Sequence, residues 1–181
     1  PKQYFGWLFL SQGVNFNEDW FDRLTDYDQK NDSARAITSR VDRGFAARHT
    51  FSYSASVNTK IYGTFAPRLG PVKALRHVVS PFLGFSYQPD FSDPKWGYYE
   101  EFVNAAGVTE RRDRFGGTPR GKQASLNLGL NNLFQMKTGP DDKEKKIDLF
   151  NLNFFTCYNF AAKEFKLADL STSFSANPSQ N

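Results

Sequence analysis

"FAARHTFSYSASVNTKIYGTF", residues 45–65, decides the fold. Phe45, Ala47, Phe51, Tyr53, Ala55, Val57, Ile61 and Phe65 share one parity, while Arg48, Thr50, Ser52, Ser54, Ser56, Asn58 and Lys60 share the other. Successive side chains of a strand point to opposite faces, so this period of two predicts a strand with one apolar and one polar face. Its length says more. Strands of soluble domains run about 3–10 residues and the alternation lasts about twice that, whereas a tilted strand crosses a bilayer in about 9–11 residues and continues beyond it.

The pattern recurs along the chain. In "QASLNLGLNN", Ala124, Leu126, Leu128 and Leu130 alternate with Gln123, Ser125, Asn127, Gly129 and Asn131, and in "NLNFFTCYNF", Leu152, Phe154, Tyr158 and Phe160 alternate with Asn151, Asn153, Cys157 and Asn159. In the stretch 74–88, Val79, Leu83, Phe85 and Tyr87 form the apolar set and Ser80, Gly84, Ser86 and Gln88 the polar one, with Phe82 out of pattern. Residues 7–21, with an irregularity near Gln12 and Gly13, and 168–177 complete a set of about six strands. A small soluble barrel fills its interior with apolar side chains. A wide membrane barrel reverses this, with lipid outside and water within, and Ser, Asn, Gln and Gly suit a wet lumen.

Connections form a second pattern: long over 22–44, short over 66–73, long over 90–120, short over 138–146 and intermediate over 161–168. Outer-membrane barrels have short periplasmic turns and longer extracellular loops. The expected fold is therefore all-β: an antiparallel transmembrane β-barrel, here a partial barrel whose residues 1–181 belong to one domain with no second domain. "APRLGPVK" and "TGPDDKEKK" become periplasmic turns, and the first strand runs outward.

Composition agrees. The 181 residues are 39% hydrophobic and 17% aromatic, with 19 Phe, 8 Tyr and 3 Trp, at a mean hydropathy of -0.59. A disordered chain would lack the rings and the periodicity. The net charge of +4 comes from 23 basic and 19 acidic residues interspersed, which makes a solvated surface rather than a nucleic-acid footprint. No apolar run has the length of a spanning helix. The chain starts at Pro1 without an initiator Met, as a processed chain or an excerpt would.

Little in the sequence carries chemistry. The single Cys157 has no CxxC or Cys/His partner for a disulfide or metal, and no cofactor motif is present. "ERRDRFGGTPRGK" lacks the spacing of a phosphate-binding loop and reads as solvated loop. His49 and His77 stand without a carboxylate at catalytic spacing, and no GxSxG occurs. Arg48 and Lys60 lie on the parity opposite the rings, so the strand offers no stacking platform for nucleic acid. Trp7, Trp20, Trp96, Tyr98 and Tyr99 fall near predicted strand ends, where they would form interfacial girdles or pack in loops. Arg48, Ser52, Asn58, Lys60, Ser86, Gln88 and Asn127 are the candidate lumenal polar surface.

"LRHVVSPFLGFSYQPDFSDPKWGYY" resembles the LptD family of outer-membrane lipopolysaccharide-assembly barrels, which carry an RHV-x-x-P segment followed by alternating aromatics. The matching residues are Arg76, His77, Val78 and Pro81, then Phe85, Tyr87 and Pro89, and the flanking strands over residues 45 to 160 resemble their neighbours in the family. The resemblance implies a multi-pass protein of the cell outer membrane and a non-catalytic function. Lipopolysaccharide would be assembled into the outer leaflet, its sugar moiety passing through the lumen and its lipid released sideways. It implies four kinds of partner: lipopolysaccharide, a plug lipoprotein of the LptE type, outer-membrane lipids, and periplasmic bridge proteins bound through an upstream domain absent here. The chain would be a middle portion of the barrel, away from the lateral gate, and Cys157 has no counterpart among the family's disulfide cysteines. A porin or TonB-dependent-type barrel for small solutes is the alternative. Pro81 lacks a ladder donor, which predicts a bulge at Ser80 and Pro81.

Overall fold

A computed structural model describes residues 2–30, 35–67, 70, 72–139 and 144–176. Among these are β1 (Lys2–Tyr4), β2 (Leu8–Gln29), β3 (Ile37–Thr59), β4 (Ile61–Phe65), β5 (Val72–Gln88), β6 (Tyr99–Val103), β7 (Thr109–Asp113), β8 (Gln123–Thr138), β9 (Lys145–Asn159) and β10 (Ser171–Ala176). One 3-10 turn, Pro94–Trp96, interrupts the strands, and no described residue is α-helical. One sheet follows the open order β1-β2-β3-β5-β8-β9-β10, with β4 also on β5, and β6 pairs with β7 in a second sheet. The fold is all-β, and the pairings given in register are antiparallel. The open path leaves β1 and β10 as ends, so the sheet is not closed.

Three expectations fall within these strands, and the first needs correction. The first is the connection expected over 22–44, which is mostly strand: β2 runs 22 residues and β3 runs 23, leaving 30–36 between them. Along "NEDWFDRLTDYDQ" charges fall on both parities, because beyond an apolar environment neither face must be greasy and the signature fades. The second is the irregularity near Gln12 and Gly13, which lies within the span of β2. The third is the bulge at Ser80 and Pro81, both of which lie within the span of β5. The break lies in the neighbouring strand, at Lys60, between Thr59 of β3 and Ile61 of β4. Since Ile61 pairs with Val79, continuing that register sets Lys60 against Ser80 and Thr59 against Pro81. A proline without an N–H cannot donate to the partner's carbonyl, so the partner carries the irregularity.

The chain divides into two compact units, Pro1–Gly13 with Ser54–Ser86 and Ala124–Asn181, and Val14–Tyr53 with Tyr87–Gln123. In the first unit, register sorts side chains into two faces. Leu126, Leu130 and Phe134 oppose Tyr158, Phe154 and Phe150, and Phe174 opposes Leu152. His77, Phe134, Phe150 and Phe174 form a ring-to-ring chain, with centroid separations of 4.1, 4.3 and 5.7 Å. Pro81, Leu83, Leu128 and Phe154 line a shallow apolar groove nearby. Each cross-strand pair of this kind stabilises a sheet by about 0.2–1 kcal/mol, and the rows repeat across four strands.

The second unit has a different core. Phe91, wholly buried, with Tyr98 and Tyr99, packs against Phe51, Trp96 and Phe115. The sequence places Phe51 on the apolar parity of a strand, Phe115 in a solvated loop, and Trp96, Tyr98 and Tyr99 in a girdle or in loop packing. In the β6–β7 hairpin within it Glu101 faces and ion-pairs with Arg111, while Glu100 and Arg112, also opposed in register, pair with Arg114 and Glu110. Its turn closes on Gly107, whose φ of 75° favours glycine, while the Asn104 side chain accepts from the backbone N–H groups of Ala106 and Val108.

Candidate functional site

On the polar face of the first unit the side chains of three strands join in one ladder. Asn131 Nδ2 donates to Asn151 Oδ1 at 3.0 Å and also to Asn153 Oδ1, and Asn153 donates to Ser173 Oγ at 3.2 Å. Ser86 and Ser125 hydroxyls meet at 2.7 Å across β5 and β8. Asn127 lies opposite Cys157, a free cysteine, so both share this face. Asn58 alternates with Val57 and Thr59, which line the apolar groove, and is exposed, as is Lys60 at the strand break.

Phe82 is the aromatic exception, and the structure gives its reason. Its ring lies over Gly84 and Gly129: a Cβ built on Gly84 would stand 2.8 Å from Phe82 Cζ, and one on Gly129 3.6 Å from Phe82 Cβ. Two missing side chains make the seat for one ring.

Toward the end of β8 at Thr138 and the start of β9 at Lys145 the polar face becomes basic, and residues 140–143 of the expected "TGPDDKEKK" turn lie outside the described residues. The Arg76 guanidinium sits 4.5 Å above the Tyr62 ring. Lys137 opposes Lys146 directly, a like-charge pair, with Gln135 bonded to Asp148 at 2.7 Å just before it. Glu144 ion-pairs with Lys137 and, at 3.4 Å, with Lys73. Gln135 sits beside the register shift after Phe134.

In the second unit Arg48 is not a free lumenal cation. Its side chain is 11% exposed and pairs with Asp19 at 2.8 Å, donates to Thr118 Oγ1 at 3.0 Å and to the Gly116 carbonyl at 3.2 Å, and lies over the Phe21 ring. It clamps the 90–120 segment onto β2 and β3. Ser52 and Gln88 are half-buried in the same unit. The Tyr98 hydroxyl donates to the His49 carbonyl and accepts from its N–H, and Tyr99 donates to the Thr118 carbonyl. Tyr98, Tyr99 and Trp96 thus sit in the loop core rather than in a girdle, because their rings fill it and both hydroxyls find backbone partners there. Trp7 and Trp20 are exposed.

Asp90 anchors the same segment. Burial opposes its ionisation, but hydrogen bonds from Ser92 and from the Gly121 N–H, with Arg111 nearby, hold its carboxyl below the ordinary value. The arginines of "ERRDRFGGTPRGK" are likewise engaged: Arg111 with Glu101, Arg112 with Glu110, and Arg114 with Asp26 and Glu100. His49 does have a carboxylate partner, Glu18 on β2 at 3.4 Å, and stacks on Phe16. Sequence spacing could not find it, since the two are on different strands. Among the described residues no group of three or more His, Cys, Asp or Glu could hold a metal.

The segment 76–89 spreads over these features. His77 bonds Asn132 at 3.1 Å, Val78 is buried, Phe85 meets Phe160 at 6.4 Å, Lys122 lies 5.8 Å from the Tyr87 ring, and Pro89 is buried. A family model described as LptD protein matches residues 2–181. The chain belongs to the LptD family. Comparison with curated proteins and with solved structures gives no match. LptD-family proteins are outer-membrane β-barrel proteins of lipopolysaccharide transport, a transport and assembly family rather than an enzyme family, and at family level they act with LptE. An all-β antiparallel chain whose strands divide greasy from wet side chains fits that membership.

Proposed function

We propose that residues 1–181 form part of one barrel domain that crosses the outer membrane several times, its apolar face to lipid and its polar face to a water-filled lumen. Lipopolysaccharide is carried without covalent chemistry. The sugar moiety passes along the lumenal face while the acyl chains leave sideways into the bilayer, and a lipoprotein of the LptE type fills the lumen. Asn58, Lys60, Ser86 and Asn127 belong to this lumenal surface, with Ser52 and Gln88, while Arg48 serves it by fastening the 90–120 segment. Periplasmic bridge proteins deliver the glycolipid.

One observation carries this reading: the ladder Asn131–Asn151–Asn153–Ser173 runs across the strands that bear the row His77–Phe134–Phe150–Phe174 on the other face. Rings on one face and amides on the other are what a wall between lipid and water requires, and this supports the reading. Depletion of the protein in its native cell tests the reading. Surface lipopolysaccharide is expected to fall while its precursor accumulates in the inner membrane, and unchanged surface lipopolysaccharide would overturn it.

A further inference from the structure

The basic end of the polar face is more than a solvated turn. Arg76, Lys137 and Lys146 surround a cavity of about 270 Å³, closed by Thr64 and Gln135. Lys137 and Lys146 are directly opposed, an arrangement that costs stability unless something anionic lies between or beside them. Glu144 answers only part of this, because its one carboxylate already serves both Lys137 and Lys73. Among the described residues neither Arg76 nor Lys146 has an ion-pair partner, and both are exposed. The Tyr62 ring beneath Arg76 fixes the guanidinium in place, so its planar donors are presented rather than waving. Beyond the register shift after Phe134, Gln135 faces Asp148 and Lys137 faces Lys146, and Arg76, which has the parity of Gly84 and Ser86, lines the same cavity.

We infer that Arg76, Lys146 and Lys137 form a binding site for a lipid-borne phosphate group on the polar face beside the 138–146 turn. A guanidinium with two ammonium groups suits a phosphate monoester, which carries more than one negative charge and several acceptor oxygens. The hydroxyl of Thr64 adds a neutral polar group at the rim, while the Gln135 amide is held by the Asp148 carboxylate. The inference rests on the proposed lumenal side of this face, because only there would the phosphorylated sugar of a passing glycolipid meet it. The site would take the phosphate as the glycolipid enters and release it by exchange.

The test uses the native protein with its partner in neutral detergent. It is titrated with lipopolysaccharide, with the same lipopolysaccharide stripped of its phosphates, and with phosphatidylglycerol mixed micelles. Binding of the phosphorylated glycolipid is expected to exceed that of the stripped form and to weaken about tenfold in Arg76→Gln or Lys146→Gln, the loss of one charge-assisted contact. Aqueous maleimide labelling of Asn153→Cys in a Cys157→Ser background, added to each variant, reports both folding and the wet side of the wall. Unchanged labelling with equal binding of the phosphorylated and stripped forms overturns the phosphate site alone. Equal, mutation-sensitive binding of phosphatidylglycerol overturns the glycolipid as its source. Asn153→Cys reacting only with a lipid-dissolved reagent overturns the lumenal reading and the site together.

Discussion

Phe82 and the glycines beneath it give a prediction with a change of sign. Gly84 has no positive φ that would bar a side chain, so Gly84→Ala is decided by space alone. The new methyl would stand 2.8 Å from Phe82 Cζ and 3.0 Å from Cε1, an overlap that must tilt the ring off Gly129 as well. Overpacking of this kind costs about 1–3 kcal/mol. Phe82 is 40% exposed, so Phe82→Ala forfeits roughly half of the loss seen for a fully buried ring, about 2–3 kcal/mol. With the ring gone, the methyl enters open space and alanine outperforms glycine in a strand by about 0.5–1 kcal/mol. Gly84→Ala therefore destabilises the native protein but stabilises the Phe82→Ala variant, with a coupling of about 2 kcal/mol or more. Guanidinium unfolding in phospholipid vesicles, followed by circular dichroism, measures the four-member cycle. Equal effects of Gly84→Ala in both backgrounds would refute the seating of Phe82.

Two further outcomes concern the 90–120 segment. Arg48→Ala removes an ion pair and two hydrogen bonds from a side chain that is 11% exposed. Loss of such contacts costs about 1–3 kcal/mol locally, and limited proteolysis is expected to cut near Gly116 and Gly117 while β8 and β9 stay intact; an unchanged cleavage rate would remove Arg48 from its clamping role. The Asp90 carboxyl is held below its ordinary 3.8, so its contribution to stability is complete above that pH and fades as the pH falls below it. Amide exchange at Ser92 and Gly121 should therefore quicken below about pH 3.8 in the native protein and be fast at all pH values in Asp90→Asn; the same pH profile in both would contradict the assignment.

What the sequence reveals depends on what each face touches. Residues 45–65 announce themselves because one parity is greasy and the other wet over their whole length. The far reaches of β2 lose that contrast, and so read as loop although the backbone continues to pair. The β6–β7 hairpin is hidden for a related reason: "YEEFV" and "TERRD" are too short and too charged for an apolar signal, and only the facing Glu and Arg residues hint at pairing. Pro81 lies close to a real irregularity, the break at Lys60 between β3 and β4, which the pairing of Ile61 with Val79 brings near it. Arg48 looked like a lumenal cation because its partners, Asp19 and Thr118, lie on other elements. The basic cavity was missed because "TGPDDKEKK" resembles any solvated turn until register sets Lys137 against Lys146 and β5 brings Arg76 beside them.

The central claim is that this sheet separates lipid from water, and β8 offers its most direct measurement. Single cysteines with an attached nitroxide at each position from Ala124 to Phe134, in the Cys157→Ser protein reconstituted in phospholipid vesicles, are exposed to oxygen and to a water-soluble nickel chelate. The account predicts a period of two, oxygen dominating at Leu126, Leu128, Leu130 and Phe134, and nickel at Ser125, Asn127, Gly129 and Asn131. Uniform nickel accessibility along the strand, or the opposite parity, would contradict it.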